Sequence, residues 1–375
     1  MIVGADVHLG KINDSFDLPT GEKSQTHDVV VRLNELLEVA IKDEHIILLL
    51  GDIFTRVNPT TYIISVFFRW LSECKRNGVD VYILPGNHDS GFNWINTAMI
   101  ENVHLDNVHV VSSVSTITIK KRKVFVIPHI PLETQAKIEE AEGMDKFLYN
   151  EWKLGGGASL IIGHGMLTSV DYNNDIFFEA GTAVMINSDV FDTAKLILLG
   201  HVHNFTEIKS KNKSVVYPGS LTNNNFGEVD DLKAYLYVDL ENLHYSVHAY
   251  SSEVTPWVDL NIDLTEKDET DIDEKTIAEL CKDAVIKVTI ITNGDKQIDE
   301  NYIRKLVNKY GKITRFETKA LSISNKINVS NKQKSPEILL KEYIKNMDVD
   351  SDVIKKLAIK FGRVILSKVG VSDVK

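Results

Sequence analysis

The chain has 375 residues, 43% of them hydrophobic and 25% charged, the balance of a soluble globular protein with room for more than one core rather than of a disordered or membrane chain. Its two cysteines, Cys74 and Cys281, are far apart, which argues against a disulfide framework and a thiolate zinc site, so any bound metal must use His, Asp or Asn. A formal net charge of -11 sets the whole-molecule field against nucleic acid, so DNA binding would need a local basic surface, a metal or a partner.

Met1 to Asp6 reads as a short apolar strand without the basic flank and cleavage pattern of a signal peptide. No apolar run is long enough to span a bilayer, so the expectation is a cytoplasmic protein with no membrane partner. The strand runs into Asp6-Val7-His8-Leu9-Gly10, where Asp and His two apart face one way and Gly10 lets the chain turn. From Ser24 to Lys42 the residues Val29, Leu33, Leu36, Leu37 and Ala40 recur at helical spacing, and the apolar strand His45 to Leu50 follows, delivering Gly51-Asp52-Ile53-Phe54. A second helix, Thr60 to Arg76, carries Ile63, Phe67, Trp70 and Leu71, and the strand Asp80 to Leu84 ends in Pro85-Gly86-Asn87-His88-Asp89. Three successive strands thus end in clusters of Asp, His or Asn, and the carboxyl ends of strands in an open α/β sheet line one crevice.

Short strands follow at Val108 to Val111, Val114 to Ile119 and Val124 to Ile127, with Lys120-Lys121-Arg122-Lys123 read as a solvated turn. His129 lies where it could line the crevice only as an outer residue; His27, His45, His104, His109, His244 and His248 read as ordinary helix, strand or surface residues. A helix from Leu132 to Trp152 leads to a buried strand, Ala158 to Ile162, and then to Gly163-His164-Gly165. Met166 to Asn187, with Asp171, Asn173, Asn174 and Asp175 beside Phe177 and Phe178, suggests a long loop above the site. The run Ala194 to Leu199 delivers Gly200-His201-Val202-His203, whose two imidazoles, two residues apart, could reach one cation or a neighbouring pair. Tyr217-Pro218-Gly219-Ser220 and the strands Ala234 to Leu240 and His244 to Tyr250 close this region.

The remainder is organised differently. A helix near Ile272 to Cys281, a strand Val285 to Thr292, a helix Asp299 to Lys309 stopped by Gly311 and a strand Ile313 to Phe316 read as a small separate α/β domain. Leu321 to Lys334 is polar and irregular, as a linker is. Ser335-Pro336-Glu337 opens a helix with Leu340, Tyr343, Ile344 and Met347 on one face, and Ser351 opens another with Ile354, Leu357 and Phe361. This basic tail, eleven Lys or Arg against six Asp or Glu from Leu321 onward, is expected to dock its apolar faces on a partner protein.

Asp6, His8, Asp52, Asn87, His164, His201 and His203 together supply oxygen and imidazole nitrogen enough for two divalent cations, read as strand ends of one sheet. In this order and context the chain resembles the calcineurin-like metallophosphoesterases, whose pattern is D-x-H, GD, GNHD, GH and GHxH. The start Asp6-Val7-His8-Leu9-Gly10, Gly51-Asp52-Ile53-Phe54, Gly86-Asn87-His88-Asp89, Tyr217-Pro218-Gly219-Ser220 and the appended segments look like the SbcD-type nuclease subunits of SbcCD double-strand-break repair complexes.

That resemblance implies an α/β fold, a four-layer sandwich of two facing mixed sheets flanked by helices over residues 1-254. A small DNA-binding capping domain over 255-320, a linker over 321-334 and a helical ATPase-binding segment over 335-375 would follow. It implies a manganese-dependent DNA exonuclease and endonuclease, with magnesium or another divalent ion as alternative. The partners would be DNA and an SMC-like ATPase with long coiled coils, in the cytoplasm of a bacterial or phage-infected cell. By the same resemblance Asp6, His8, Asp52 and His203 would hold one metal and Asp52, Asn87, His164 and His201 the other. His88 would protonate the leaving 3′ oxygen or steady the charged transition state. Thr55 stands where many relatives place His or Asp, and the Thr60 to Trp70 region would supply a homodimer contact within a heterotetramer. The alternatives are a small-molecule phosphodiesterase or phosphatase, which needs neither cap nor tail, and a silent scaffold, which would not need every ligand position filled.

Overall fold

The computed structural model describes residues 1–42, 45–89, 105–130, 134–168, 184–209, 212–294 and 296–321. Its first strand, β1 (Ile2–Gly4), leads to helix α1 (Ser24–Lys42) and then to β2 (Ile47–Leu50), which lies parallel to β1 in the register Ile2 to Ile47. Helix α2 (Thr61–Arg76), whose N-cap Thr60 accepts from the Ile63 amide, leads to β3 (Val81–Leu84), parallel to β2, and β4 (Val108–Val110) follows beside it.

Alternation along these strands divides two apolar layers. Ile2, Ile47, Leu49, Val81 and Ile83 pack under Leu33 and Leu36 of α1 and Phe67 and Leu71 of α2. Val3, Leu48, Leu50 and Leu84 face the other way, onto a second sheet.

That sheet begins with the hairpin β5 (Ser115–Ile119) and β6 (Arg122–Ile127), so Arg122 opens a strand and the turn is Lys120-Lys121, with Lys120 at φ 53°. The segment expected as one helix to Trp152 is two in its described part, Gln135–Glu140 and Met144–Leu154. Glu142 (φ 62°) and Gly143 (φ 123°) lie between them in the left-handed region, which no helix can continue through. Next come β7 (Leu160–His164), the short pair β8 (Met166–Leu167) and β9 (Met185–Ile186), β10 (Leu196–Gly200), β11 (Thr206–Lys209) and β12 (Ser214–Tyr217). The second sheet runs β11-β12-β10-β7-β6-β5. Leu160, Ile162, Leu196 and Leu198 meet the first sheet, while Ile161, Ile197 and Leu199 pack outward against Phe147, Leu148 and Trp152. Helix, sheet, sheet, helix are therefore the four layers of this α/β sandwich. Strands β13 (Ala234–Val238) and β14 (Tyr245–Ala249) return to the first sheet, antiparallel to β1, giving the order β14-β13-β1-β2-β3-β4.

A three-stranded sheet follows: β15 (Trp257–Asp263), β16 (Val285–Asn293) and β17 (Lys312–Leu321), with the helices Glu274–Leu280 and Glu300–Val307. Strand β15 was not expected, although Trp257, Leu260 and Ile262 are its buried positions, and β17 is longer than the expected Ile313 to Phe316. The segment between β14 and β15 is strapped to α1 by residues at i, i+4 and i+7. Asp28 accepts from the Thr255 amide and hydroxyl, Arg32 donates to Ser252 Oγ, and Glu35 accepts from the amides and hydroxyls of Ser251 and Ser252.

The loop residues Asp171 to Phe178, His104, and the tail with Leu340, Tyr343, Ile344, Met347, Ile354, Leu357 and Phe361 lie outside the described residues. Among the described residues no helix is long and apolar enough to cross a membrane.

Candidate metal centre

The ends of β1, β2 and β3 in one sheet and of β7 and β10 in the other converge on a single place. The seven expected ligands therefore come from two sheets, a correction to their reading as strand ends of one: Asp6, His8, Asp52 and Asn87 from the first, His164, His201 and His203 from the second. Four of them leave their strands in backbone that L-residues rarely adopt, Asp6 at φ 49°, His8 at 48°, Asp52 at 50° and His201 at 97°, at a cost of roughly 1–3 kcal/mol each. The surrounding bonds fix those turns. His8 N donates to Asp52 O (2.8 Å), Leu9 N to Ile53 O (2.9 Å), and His201 N to the Asp6 carboxylate (2.8 Å). Gly86 has no alternative, since a Cβ there would collide with the Asp52 carboxylate.

The converging side chains present acceptors to one another. His203 Nδ1 donates to Glu228 Oε1 at 2.9 Å, which leaves its Nε2 facing His8 Nε2, also at 2.9 Å. A contact that short between two ring nitrogens needs a shared proton or a shared cation. His164 Nδ1 donates to Leu50 O (2.8 Å), so its Nε2 turns to Asn87 Oδ1 (3.0 Å) and Asp52 Oδ2 (3.5 Å). His201 Nδ1 faces the same Asn87 oxygen at 3.0 Å, and His8 Nε2 lies 3.7 Å from Asp52 Oδ2. Asp6, His8 and His203 form one group of potential ligand atoms and Asp52, His164 and His201 another, all within 4.8 Å in each.

Charge follows from this crowding. Burial raises Asp6 to about 6, against the pull of His164 and His203. For Asp52 burial acts upward too, but His164, His8 and His88 outweigh it and hold the carboxyl well below its ordinary range. His8 is held low by burial and by His203, and His201 is lowered to about 4 by burial and then by His164. Burial would lower His164 as well, yet Asp52, Asp6 and the Leu50 carbonyl lift it to about 9. Seven N and O donors, two buried carboxylates and facing lone pairs fit a pair of divalent cations of the kind that takes mixed imidazole and carboxylate ligands.

His88 sits at the rim: its amide donates to Asp52 Oδ1 (2.9 Å), its Nδ1 meets Thr55 O (3.1 Å), and a ring nitrogen lies within 4.8 Å of His8 and Asp52 ligand atoms. Thr55, the departure from the family pattern, ties loops together. Its amide donates to Leu9 O (3.1 Å) and its hydroxyl to His8 O (2.7 Å).

Two carboxylates had no role in the sequence reading. Glu228 is 6% exposed and accepts from His203, from Asn225 Nδ2 (2.7 Å), the Asn224 amide (2.9 Å) and Lys233 Nζ (2.9 Å). Burial pushes its carboxyl up, but His203 and Lys233 more than reverse that and hold it far below the ordinary range. Its one available signal was the need of a ligand imidazole for a carboxylate behind it. Asp89, fully buried, accepts from the amides of Ile53, Phe54 and Gly86 and so locks the Asp52 and Asn87 loops together. His129, expected to line the crevice only as an outer residue, lies near enough to His164 that burial and that neighbour's charge lower it to about 4.

The three-stranded sheet reaches the loops around this centre. Arg315 of β17 pairs with Asp14 (Nε to Oδ1, 2.8 Å), and Trp257 of β15 packs on Phe226, two residues before Glu228, with ring centroids 4.9 Å apart.

Residues 2–205 match the family model described as calcineurin-like phosphoesterase. The chain is 28% identical over 143 residues to the DNA double-strand break repair protein Mre11 of Saccharolobus solfataricus, covering 36% of this chain and 35% of that one. It is 24% identical over 262 residues to a protein of Staphylococcus epidermidis named as a subunit of the nuclease SbcCD, covering 64% and 65%. It is 25% identical over 233 residues to the protein R555 of Acanthamoeba polyphaga mimivirus, covering 60% of this chain and 16% of that one. The chain thus spans less than two thirds of the length of each of these relatives.

Proposed function

The chain belongs to the calcineurin-like phosphoesterase family, and from that premise we propose that it is a metal-dependent DNA nuclease, exonucleolytic on duplex ends and endonucleolytic on single strands. The observation that carries this reading is the pair of acceptor clusters on either side of Asp52 Oδ2, which lies 3.7 Å from His8 Nε2 and 3.5 Å from His164 Nε2, with the three-stranded sheet fastened to the loops beside them. The similarity to proteins named as Mre11 and as part of the SbcCD nuclease supports DNA as the substrate.

Asp6, His8, Asp52 and His203 would hold one divalent ion, and Asp52, Asn87, His164 and His201 the other, manganese being the proposed metal. Such a pair of ions, when bound, supplies positive charge to the phosphoryl oxygens and lowers the pKa of water at the site. Glu228 accepts from His203 Nδ1 and so turns the ring's Nε2 towards His8 Nε2 and the centre. The Leu50 carbonyl likewise accepts from His164 Nδ1, and Asp89 keeps the Asp52 and Asn87 loops in register. His88, whose Nδ1 meets the Thr55 carbonyl, would deliver a proton to the leaving 3′ oxygen or steady charge as the bond breaks. The small domain would act as a DNA-binding cap. The segment 335–375 would bind an SMC-like ATPase through Leu340, Tyr343, Ile344, Met347, Ile354, Leu357 and Phe361.

The test is incubation of the purified chain with manganese and three substrates: linear duplex, single-stranded oligonucleotide and bis(p-nitrophenyl) phosphate. Degradation of both DNA forms is the expected result. Hydrolysis of the small diester with neither DNA cut would replace the nuclease reading by a small-molecule phosphodiesterase.

A further inference from the structure

Beside the metal centre, between the loop after His8 and the segment before α2, lies a cleft of about 190 Å³. Leu9, Pro59 and Ile63 are among its apolar lining, and Lys11, Lys23 and Arg56 bring cations to it. Its walls are the same loops that carry the centre. Leu9 bridges to Phe54, the Thr55 amide donates to Leu9 O, and Thr55 holds both the His8 carbonyl and the His88 ring.

The three cations are not equivalent. Lys23 is paired with Asp17 at 2.9 Å. Among the described residues, Lys11 and Arg56 have neither a hydrogen-bond nor an ion-pair partner for their charged groups. Arg56 is exposed and Lys11 half-buried. Burial lowers the Lys11 pKa, which the Glu228 and Asp14 carboxylates oppose, and the Lys11 charge in turn disfavours protonation of His8. Lys11 therefore stands within electrostatic reach of the centre on the side where the cleft lies. In a chain of net charge -11, two unpaired cations next to a phosphodiester-cleaving centre are placed to meet an anion that the substrate itself carries.

We propose that this cleft is a substrate subsite, in which Lys11 and Arg56 bind the phosphate next to the scissile one while the nucleoside between the two lies on Leu9, Pro59 and Ile63. The inference rests on the nuclease reading and names what that centre requires of its substrate: two phosphates joined by a nucleoside. An apolar floor with a few placed charges is how small-ligand clefts combine affinity with orientation. Guanidinium on phosphate is the stronger of the two charge-assisted contacts, because its donors are paired in a plane.

The experiment is competitive inhibition of manganese-supported bis(p-nitrophenyl) phosphate hydrolysis by thymidine 3′,5′-bisphosphate and by thymidine 5′-monophosphate. In the wild type the bisphosphate should inhibit about tenfold more tightly, as one charge-assisted contact implies. Lys11→Ala and Arg56→Ala should each bring the ratio of the two inhibition constants towards one, with Lys11→Met as a second variant that keeps the aliphatic stem. Equal inhibition by the two nucleotides in the wild type, or substitutions that weaken both alike, would overturn the subsite. A wild type that prefers the bisphosphate yet cuts no DNA would leave the subsite standing and remove the nuclease reading alone.

Discussion

The Nε2 atoms of His8 and His203 stand 2.9 Å apart although 195 residues separate them in sequence. One nitrogen comes from the end of the first sheet and the other from the end of the second. Whatever binds between them joins the two halves of the sandwich.

Metal should accordingly act as a stabiliser. A ligand bound by the folded state alone contributes about 2.7 kcal/mol at a hundredfold excess over its Kd, so saturating manganese should raise the Tm by several degrees. Chelation should lower it, and Asp52→Asn should remove the difference. A melting curve indifferent to manganese would separate the centre from the sheet contact.

Glu228 fixes the tautomer that His203 needs. Loss of such an outer partner weakens metal affinity by about 10–100-fold, so Glu228→Ala should lose affinity in a calorimetric manganese titration. Glu228→Gln, which can still accept from the ring nitrogen, should lose less. Equal affinity in all three proteins would reduce Glu228 to a fold residue.

His88 is assigned to proton delivery and not to metal binding. His88→Ala should lower kcat on DNA by about 10²–10⁴-fold while metal analysis still finds two ions per chain. One ion instead of two would make His88 a ligand, as its nearness to His8 and Asp52 allows.

The strap on α1 makes a pH prediction. The amides and hydroxyls of Ser251 and Ser252 outweigh burial and depress the Glu35 carboxyl below its ordinary value, which is about 4.3 in an unfolded chain. A depressed carboxyl contributes stability that is present above the unfolded value and is lost as pH falls through the folded one. Glu35→Gln should therefore melt below the wild type at neutral pH, with the gap closing as the solution is acidified below about 4. A gap that persists at low pH would assign the effect to packing.

Removing 335–375 should abolish co-purification with a coiled-coil ATPase co-expressed from the same source, with cleavage of single strands by the isolated chain largely retained. Unaltered partner binding would place the docking surface elsewhere.

Much of the centre was legible because each ligand follows an apolar strand, so Asp6, Asp52, Asn87 and His164 announce themselves at strand ends. That two sheets share them was hidden, since strand patterns do not say which strands pair, and only the family pattern implied it. Glu228 and Asp89 were missed for a common reason: a carboxylate that works by accepting from amides and rings carries no periodicity. The break at Glu142 and Gly143 was masked by apolar residues on both sides that suit one helix as well as two. Strand β15 could have been read from its alternation, but a seven-residue run with three acids or amides in it does not look like core.

Because both ligand groups draw on both sheets, neither exists in a partial chain. During synthesis the first 200 residues can fold a sheet and present Asp6, His8, Asp52 and Asn87, yet the centre has no complete ligand set until His203 has left the ribosome and the second sheet has closed on the first. The nascent chain therefore carries no complete ligand set for more than the first half of its own making, and the two sheets must meet before any cation can be held by both.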